Sequence, residues 1–155
     1  MLFDKRKIIY LGADHAGYGL KEEIKRFLKQ QKLPFEDLGS YDPKSSDDYP
    51  DFAAKVSEMV IKNKAKGILI CGTGTGMVIA ANKHKGIRAA LAYDTFTAKM
   101  ARHDNDSNIL CLNGWKYDLR KAKTIVKTWL EARFSGEPRH RRRIGKIKKL
   151  EKWLK

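Results

Sequence analysis

Apolar residues along the chain fall into two alternating patterns, short unbroken runs and stripes spaced three to four apart. Lys7-Ile8-Ile9-Tyr10-Leu11-Gly12 is a β-prone run ending in glycine, and Leu20, Ile24, Phe27 and Leu28 then repeat as on one face of a helix. The alternation recurs. Phe35 to Leu38 reads as a weak strand, and a polar loop through Asp42-Pro43-Lys44-Ser45-Ser46 leads to a helix over Pro50 to Lys62 with Phe52, Val56, Met59 and Val60 on one face. Gly67 to Cys71 is a fully apolar strand, Gly72 to Gly76 a glycine-rich turn opening a helix to about His84, and Ile87 to Tyr93 another strand. A helix over Thr95 to His103, a strand over Asn108 to Leu112 and a helix over Leu119 to Arg133 complete five βα units.

Strands alternating with helices predict right-handed crossovers and an α/β fold, a three-layer α/β/α sandwich around a five-stranded parallel, Rossmann-like sheet. Sheets of this kind take ligands at the carboxyl ends of their strands. After Ser135-Gly136-Glu137-Pro138 comes a basic segment with Ile144, Ile147, Leu150, Trp153 and Leu154 at helical spacing. Five units are already complete, so the apolar stripe of this C-terminal helix predicts docking on its own domain or on a second subunit. With 155 residues the chain buries one ordinary core, read as a single domain of residues 1–135 plus the helix of residues 136–155.

Charge sharpens this reading. The formal net charge is +15, and from Lys116 onward 15 Lys and Arg face only four acids. That excess suits a polyanionic partner, a phosphorylated small molecule or a nucleic acid. Arg139 and Arg143 stand four apart, as a phosphate-gripping pair on one helical face would. The wider run Arg139-His140-Arg141-Arg142-Arg143 fits nucleic acid equally well by charge, but Trp153 suits the apolar stripe better than a base-stacking platform, which disfavours that partner.

The start Met1-Leu2-Phe3-Asp4 turns charged at its fourth residue, unlike a secretory signal, so a cytoplasmic location is expected. The uncharged stretch between Lys66 and Lys83 is shorter than the roughly 20 apolar residues of a membrane span, so no membrane partner is expected. Cys71 and Cys111 belong to no CxxC pair, and no His/Asp/Glu group has a spacing such as H-E-x-x-H. Neither a disulfide framework nor a metal site is expected. His84 and His140, set among basic residues, read as surface groups, and the acids of Ser45-Ser46-Asp47-Asp48 as a solvated loop.

The candidate chemistry gathers at a few loops. Gly12-Ala13-Asp14-His15-Ala16-Gly17 places an acid and an imidazole just before a helix, where Asp14 reads equally as a helix cap or as a catalyst. Cys71 runs into Gly72-Thr73-Gly74-Thr75-Gly76, whose glycines let the backbone approach a ligand and aim N–H groups at an anion. The following helix adds its positive end, which favours a thiolate at Cys71. The Lys-Ser/Thr of a P-loop and the dinucleotide fingerprint are both absent, which disfavours nucleotides. Cys111, inside Ile109-Leu110-Cys111-Leu112, reads as a buried structural residue. Arg102-His103-Asp104-Asn105-Asp106 is a dense polar stretch suited to substrate hydroxyls, or simply to ending a helix.

These segments, with Leu20-Lys21, Asp48-Tyr49-Pro50, Ala80-Ala81-Asn82-Lys83 and Gly86-Ile87-Arg88-Ala89, resemble in order and spacing the type B ribose-5-phosphate isomerases and the related galactose-6-phosphate isomerase subunits. The resemblance spans nearly the whole chain. It implies a cofactor-free aldose-ketose isomerisation through a cis-enediolate, in a homodimer, often a tetramer, whose site is completed across subunits. By that resemblance Cys71 is the base, Thr73 assists proton transfer at the sugar oxygens, and the N–H groups of Gly72, Gly74, Thr75 and Gly76 hold the enediolate oxygen. Asp14 lies near the ring oxygen, His15, Arg139 and Arg143 contact phosphate, and Tyr49 and Asn105 line the substrate.

Two departures from the family pattern stand out. The family usually reads Arg-x-His-Asn, its histidine opening the sugar ring, whereas here Asp104 fills that slot and His103 sits one place earlier, an offset of about 100° on a helix. Either Asp104 takes over ring opening, the reading favoured here because a carboxylate can shuttle a proton, or His103 reaches in through a distorted turn, or the step is weak. Many members also carry Gly-x-Arg after the fifth strand, where this chain has Asn113-Gly114-Trp115-Lys116; Trp115 cannot supply that charge, which leaves Lys116 next to it. Ribose 5-phosphate is the expected substrate, with galactose 6-phosphate, allose 6-phosphate or a non-catalytic nucleic-acid-binding role as alternatives.

Overall fold

The computed structural model describes residues 7–153. Its elements follow in chain order: β1 (Ile9–Ala13), α1 (Tyr18–Gln30), β2 (Phe35–Asp37), α2 (Tyr49–Asn63), β3 (Lys66–Cys71), α3 (Thr75–Ala81), β4 (Ala89–Leu91), α4 (Thr95–His103), β5 (Ile109–Asn113), α5 (Leu119–Glu131) and α6 (Pro138–Leu150). The five strands form one sheet in the order β2-β1-β3-β5-β4, and every neighbouring pair is parallel. The alternating runs thus fold as five βα units around a parallel sheet.

Alternation within each strand sorts side chains to the two faces. Ile9, Leu11, Ile68, Ile70, Leu110 and Leu112 pack on α1, α4 and α5, while Tyr10, Leu69, Cys71, Ile109 and Cys111 pack on α2 and α3. Both faces are covered, so the central strands are apolar throughout. β4 is shorter than the apolar run Ile87 to Tyr93 suggests, because β5 inserts between β3 and β4 and leaves β4 at the edge with a single partner. Lys21, fully buried at the start of α1, donates from Nζ to Asp37 Oδ2 at 2.5 Å and to Glu22 Oε1 at 3.1 Å. Burial opposes the Asp37 charge, but the bonds from Lys21 and Lys25 hold its carboxyl below the usual range. Lys25 also pairs with Asp37, so the buried Lys21 ammonium is held in a network of two bases and two acids.

A parallel sheet has one edge where all strands end and another where all begin. The register pairs Gly67 with Ile109 and Cys71 with Asn113, so the loops after β1, β3 and β5 gather at the carboxyl edge. The turn joining α4 to β5 lies at the amino edge, where Gly67 N–H donates to Asn108 O at 2.9 Å. The chain leaving α5 returns there too: Ser135 N–H donates to the His103 carbonyl at 2.9 Å. α6 then buries His140 and Ile144, while Ile147, Leu150 and Trp153 stay exposed. The expected apolar stripe is therefore only partly covered by its own chain.

Candidate active site

Ala13 pairs with Ile70 across β1 and β3, so the residues that follow, Asp14 and Cys71, come together at the carboxyl edge. Asp14 N–H donates to Ile70 O at 3.3 Å, and the turn then presses Gly17 onto the same strand. A Cβ at Gly17 would lie 2.2 Å from the Ile70 carbonyl oxygen, so only glycine fits. Asp14 is 6% exposed, and its Oδ1 accepts the Gly17 N–H at 2.9 Å. Gly17 is itself the N-cap of α1, so this bond closes the turn ahead of the helix and does not cap it. Burial pushes the Asp14 carboxyl above the usual range, and the Gly17 bond and neighbouring His15 offset only part of that rise.

Cys71 is buried, and its Sγ accepts the N–H of Gly74 at 3.2 Å. The loop can make that return because Gly74 takes φ +83, with so little room that a Cβ would stand 2.9 Å from Leu112 O. Thr73 is exposed, and its Oγ1 accepts Thr75 N–H at 3.3 Å. Two aromatic rings flank the loop. Tyr49, at the start of α2, lies against Gly76, and Trp115, after β5, lies against Gly72, each within 2.8 Å of where a Cβ would stand. Trp115 N–H donates to Gly72 O at 3.0 Å, so this residue, read from sequence only as a missing charge, walls the loop. Lys116 is exposed beside it. Cys111 lies within the same face of the sheet, fully buried, and burial pushes its thiol far up, as a structural residue requires.

His15 is held by a residue that sequence reading missed. Asp47 Oδ1 accepts the His15 backbone N–H at 2.9 Å and lies 2.8 Å from its Nδ1. This hydrogen bond raises the imidazole pKa above its ordinary value. At Asp47 burial opposes the charge, but bonds from Ser40 and His15 hold the carboxyl below its usual range. Asp47 is thus no member of a solvated loop; its side chain is 13% exposed. Nothing local marks it, because its partner lies 32 residues earlier in the chain.

The second group sits at the amino edge. α4 ends at His103 with Asp104 as its C-cap, and His103 Nδ1 lies 2.7 Å from Asp104 Oδ1. The helical offset between them is bridged at the helix end. The bond from His103 holds the Asp104 carboxyl below its usual range, with His140 and Arg139 adding to the effect. Asn105 is exposed beside them, and Asp106, in the left-handed region at φ 46, is bracketed by Arg88 and Arg102. Arg139 and Arg143 share an exposed face of α6, where Arg139 Nε pairs with Glu137 at 2.8 Å. His140, expected at the surface, is instead 3% exposed, because the chain from Ser135 folds its first helical turn onto the end of α4. Its Nδ1 lies 2.6 Å from Ser135 Oγ and its Nε2 3.6 Å from Asp104 Oδ1.

The structure therefore brings Asp14, His15, Tyr49, Cys71 and the loop Gly72–Gly76 to one edge, and His103, Asp104, Asn105, Arg139 and Arg143 to the other. Within one chain the two groups do not meet. Gly67 and Cys71 are four residue steps apart on β3, about 13 Å along the strand.

A buried thiol beside a buried carboxyl, under a loop of backbone donors, equips the carboxyl edge to move protons on a small anionic molecule, which is the work of a sugar-phosphate isomerase. Comparison with known proteins agrees. The model of the family described as Ribose/Galactose Isomerase matches residues 9–147, from β1 into α6, and the chain belongs to this family. Ribose-5-phosphate isomerase B of Escherichia coli is 39% identical over 146 residues, covering 94% of this chain and 97% of that protein. The ribose-5-phosphate isomerase B structure from Clostridium thermocellum superposes with a TM-score of 0.90 at 48% identity, covering 94% of this chain and 97% of that one. The enzyme from Mycoplasma genitalium, solved with ribulose 5-phosphate bound, gives a TM-score of 0.89 at 43% identity, with 94% and 97% covered. No helix among the described residues is long and apolar enough to cross a membrane.

Proposed function

We propose that this chain interconverts ribose 5-phosphate and ribulose 5-phosphate, with Cys71 as the base, and that residues 1–155 act as one catalytic domain. The carrying observation is the contact region at the carboxyl edge, where Cys71 Sγ lies under the Gly74 N–H beside the buried Asp14. The thiolate takes the proton from C2 of the open-chain aldose and returns it to C1. The hydroxyl proton passes from O2 to O1, assisted by Thr73. One carbon is oxidised as its neighbour is reduced, so the reaction balances within the substrate. The N–H groups of Gly72, Gly74, Thr75 and Gly76 hold the enediolate oxygen, those of Gly74 and Thr75 turning to it from their bonds to Cys71 Sγ and Thr73 Oγ1. Asp14, neutral over a wider pH range than an ordinary carboxyl, sits at the sugar hydroxyls, and Tyr49 lines the opening.

The residues for phosphate and ring opening divide between the two edges. His15, made more basic by Asp47, binds phosphate at the carboxyl edge, and Arg139 and Arg143 bind it from the amino edge of a second copy. A homodimer supplies that arrangement, and the exposed Ile147, Leu150 and Trp153 give it an apolar surface to bury. Ring opening then falls to His103 and Asp104 of the second copy, with Asn105 at the hydroxyls. Asp104 Oδ1, 2.7 Å from His103 Nδ1, orients the imidazole, and the imidazole donates the proton for ring opening.

The test is formation of ribulose 5-phosphate from ribose 5-phosphate by purified wild type and Cys71→Ala, without added metal. Activity in the first and its loss in the second support the reading. Activity only on six-carbon sugar phosphates would keep the chemistry and change the substrate; none on any sugar phosphate would reject it.

A further inference from the structure

The amino edge holds a cluster whose chemistry the proposed isomerisation does not use up. His103, Asp104 and His140 each turn one ligand-type atom toward the others, and all three atoms lie within 4.8 Å of one another. His103 Nδ1 and His140 Nε2 approach the same Asp104 oxygen, at 2.7 and 3.6 Å, with the two rings nearly perpendicular at 76°. A tetrahedral ion with ligands at about 2.0–2.2 Å places neighbouring donors roughly 3.3 Å apart, so modest opening of the first contact accommodates one.

The support around the cluster is built from the fold. Ser135 Oγ engages His140 Nδ1 at 2.6 Å, which leaves Nε2 as the ring nitrogen facing Asp104. Ser135 is itself fixed by its backbone bond to His103 O and by the Glu137 N–H on its hydroxyl. A histidine oriented through its second nitrogen is the usual arrangement behind a metal ligand. His140 is 4% exposed at its side chain, whereas His103 and Asp104 are 38% and 41% exposed, so the ligand set is anchored on the protein side and open on the other. Arg139, which acts electrostatically on Asp104, is paired with Glu137 at 2.8 Å, which reduces its repulsion of an ion.

We propose that His103, Asp104 and His140 form a binding site for a divalent transition-metal ion of the zinc type, with a fourth position left to water. Two imidazoles and one carboxylate suit zinc and disfavour calcium or magnesium, which take oxygen ligands. The ion ties α6 to the end of α4, and by taking the lone pairs of His103 and Asp104 it silences the proton relay assigned to them above. The site acts as an inhibitory one, in contrast to the metal-free expectation drawn from ligand spacing. Spacing along the chain could not show it, because Asp104 and His140 stand 36 positions apart.

Zinc binding to the full, chelator-stripped chain, read by competition with a chromophoric chelator, tests this without reference to catalysis. The expected result is one ion per chain, binding weakened at least tenfold by His140→Gln and by Asp104→Asn, about tenfold by Ser135→Ala, and unchanged by Cys71→Ser. Cobalt(II) bound to the wild type should show the visible absorption of a tetrahedral site, absent in Asp104→Asn. His103→Gln, at a half-exposed position, should weaken binding likewise and keeps the test valid if the buried His140→Gln fails to fold. Absence of binding, binding indifferent to all three ligand substitutions, or binding lost only with Cys71 overturns the proposal. If the chain isomerises no sugar phosphate, these binding results stand unaffected, so failure of the catalytic reading is distinguishable from failure of this one.

Discussion

The two edges of the sheet hold polar residues in different ways. At the carboxyl edge the reactive groups are buried and fixed by backbone: Asp14 by the Gly17 N–H, Cys71 by the Gly74 N–H, with glycines where any side chain would collide. At the amino edge the groups stand on helix ends, partly exposed and tied mainly to each other, as in His103 with Asp104 and Arg139 with Glu137. The first is a rigid cradle suited to a proton transfer needing close positioning; the second is a set of charges suited to gripping an anion. In the function proposed above, each is half of a site that a second copy completes.

The largest effect expected is on the cradle. Cys71→Ala should lower kcat by about 10³-fold, as for loss of a general base, with the melting temperature little changed. An enzyme that keeps turnover without this thiol would remove the carboxyl edge from the chemistry. Arg139→Ala combined with Arg143→Ala should act instead through KM for the phosphorylated substrate. Mixing that double variant with Cys71→Ala, after unfolding and refolding together, should restore about a quarter of wild-type activity at substrate concentrations too low for the double variant alone, since half the dimers are mixed and each contains one intact site. No recovery would mean that the two edges do not combine across copies.

Smaller effects separate residues within each edge. Asp104→Ala should reduce turnover of the cyclic sugar by up to about 10²-fold, because the imidazole that donates the proton loses the carboxylate that orients it, and unchanged turnover would remove Asp104 from ring opening. Asp14→Asn should lose activity yet gain stability at neutral pH. The folded-state pKa of Asp14 is raised, so ionisation destabilises the fold as pH rises, and the amide keeps an acceptor for Gly17 without that charge. A melting temperature lower than wild type at pH 7 would contradict this. Asp47→Asn should have the smallest effect, a roughly two- to fivefold rise in KM with kcat retained. Because Asp47 raises the His15 pKa, its removal should also shift the alkaline limb of the kcat/KM profile to lower pH.

Much of this was legible in the residues. Hydrophobic period separates strand from helix wherever one face is buried, and α4 begins and ends where the pattern placed it, at Thr95 and His103. The glycine loop after Cys71 announced a backbone cradle because few other sequences permit φ near +83 and so close an approach. What the pattern did not contain was the company each polar residue keeps. Asp47 and His140 looked solvated because acids in loops and histidines among arginines usually are, yet each is enclosed by a partner more than 30 positions away.

Local periodicity and turn chemistry are properties of neighbouring residues, so the sequence by itself determined the five βα units, the parallel sheet and the cradle at Cys71. The strand order, which sends β4 to the edge, and the placing of His103 and Asp104 opposite the thiol were decided by packing across the sheet. The pairing of His15 with Asp47 and of His140 with Asp104 came from the same source. Those distances depend on which elements share a face, and burial energy is spent on apolar contacts that say nothing, along the chain, about where the polar ends will meet.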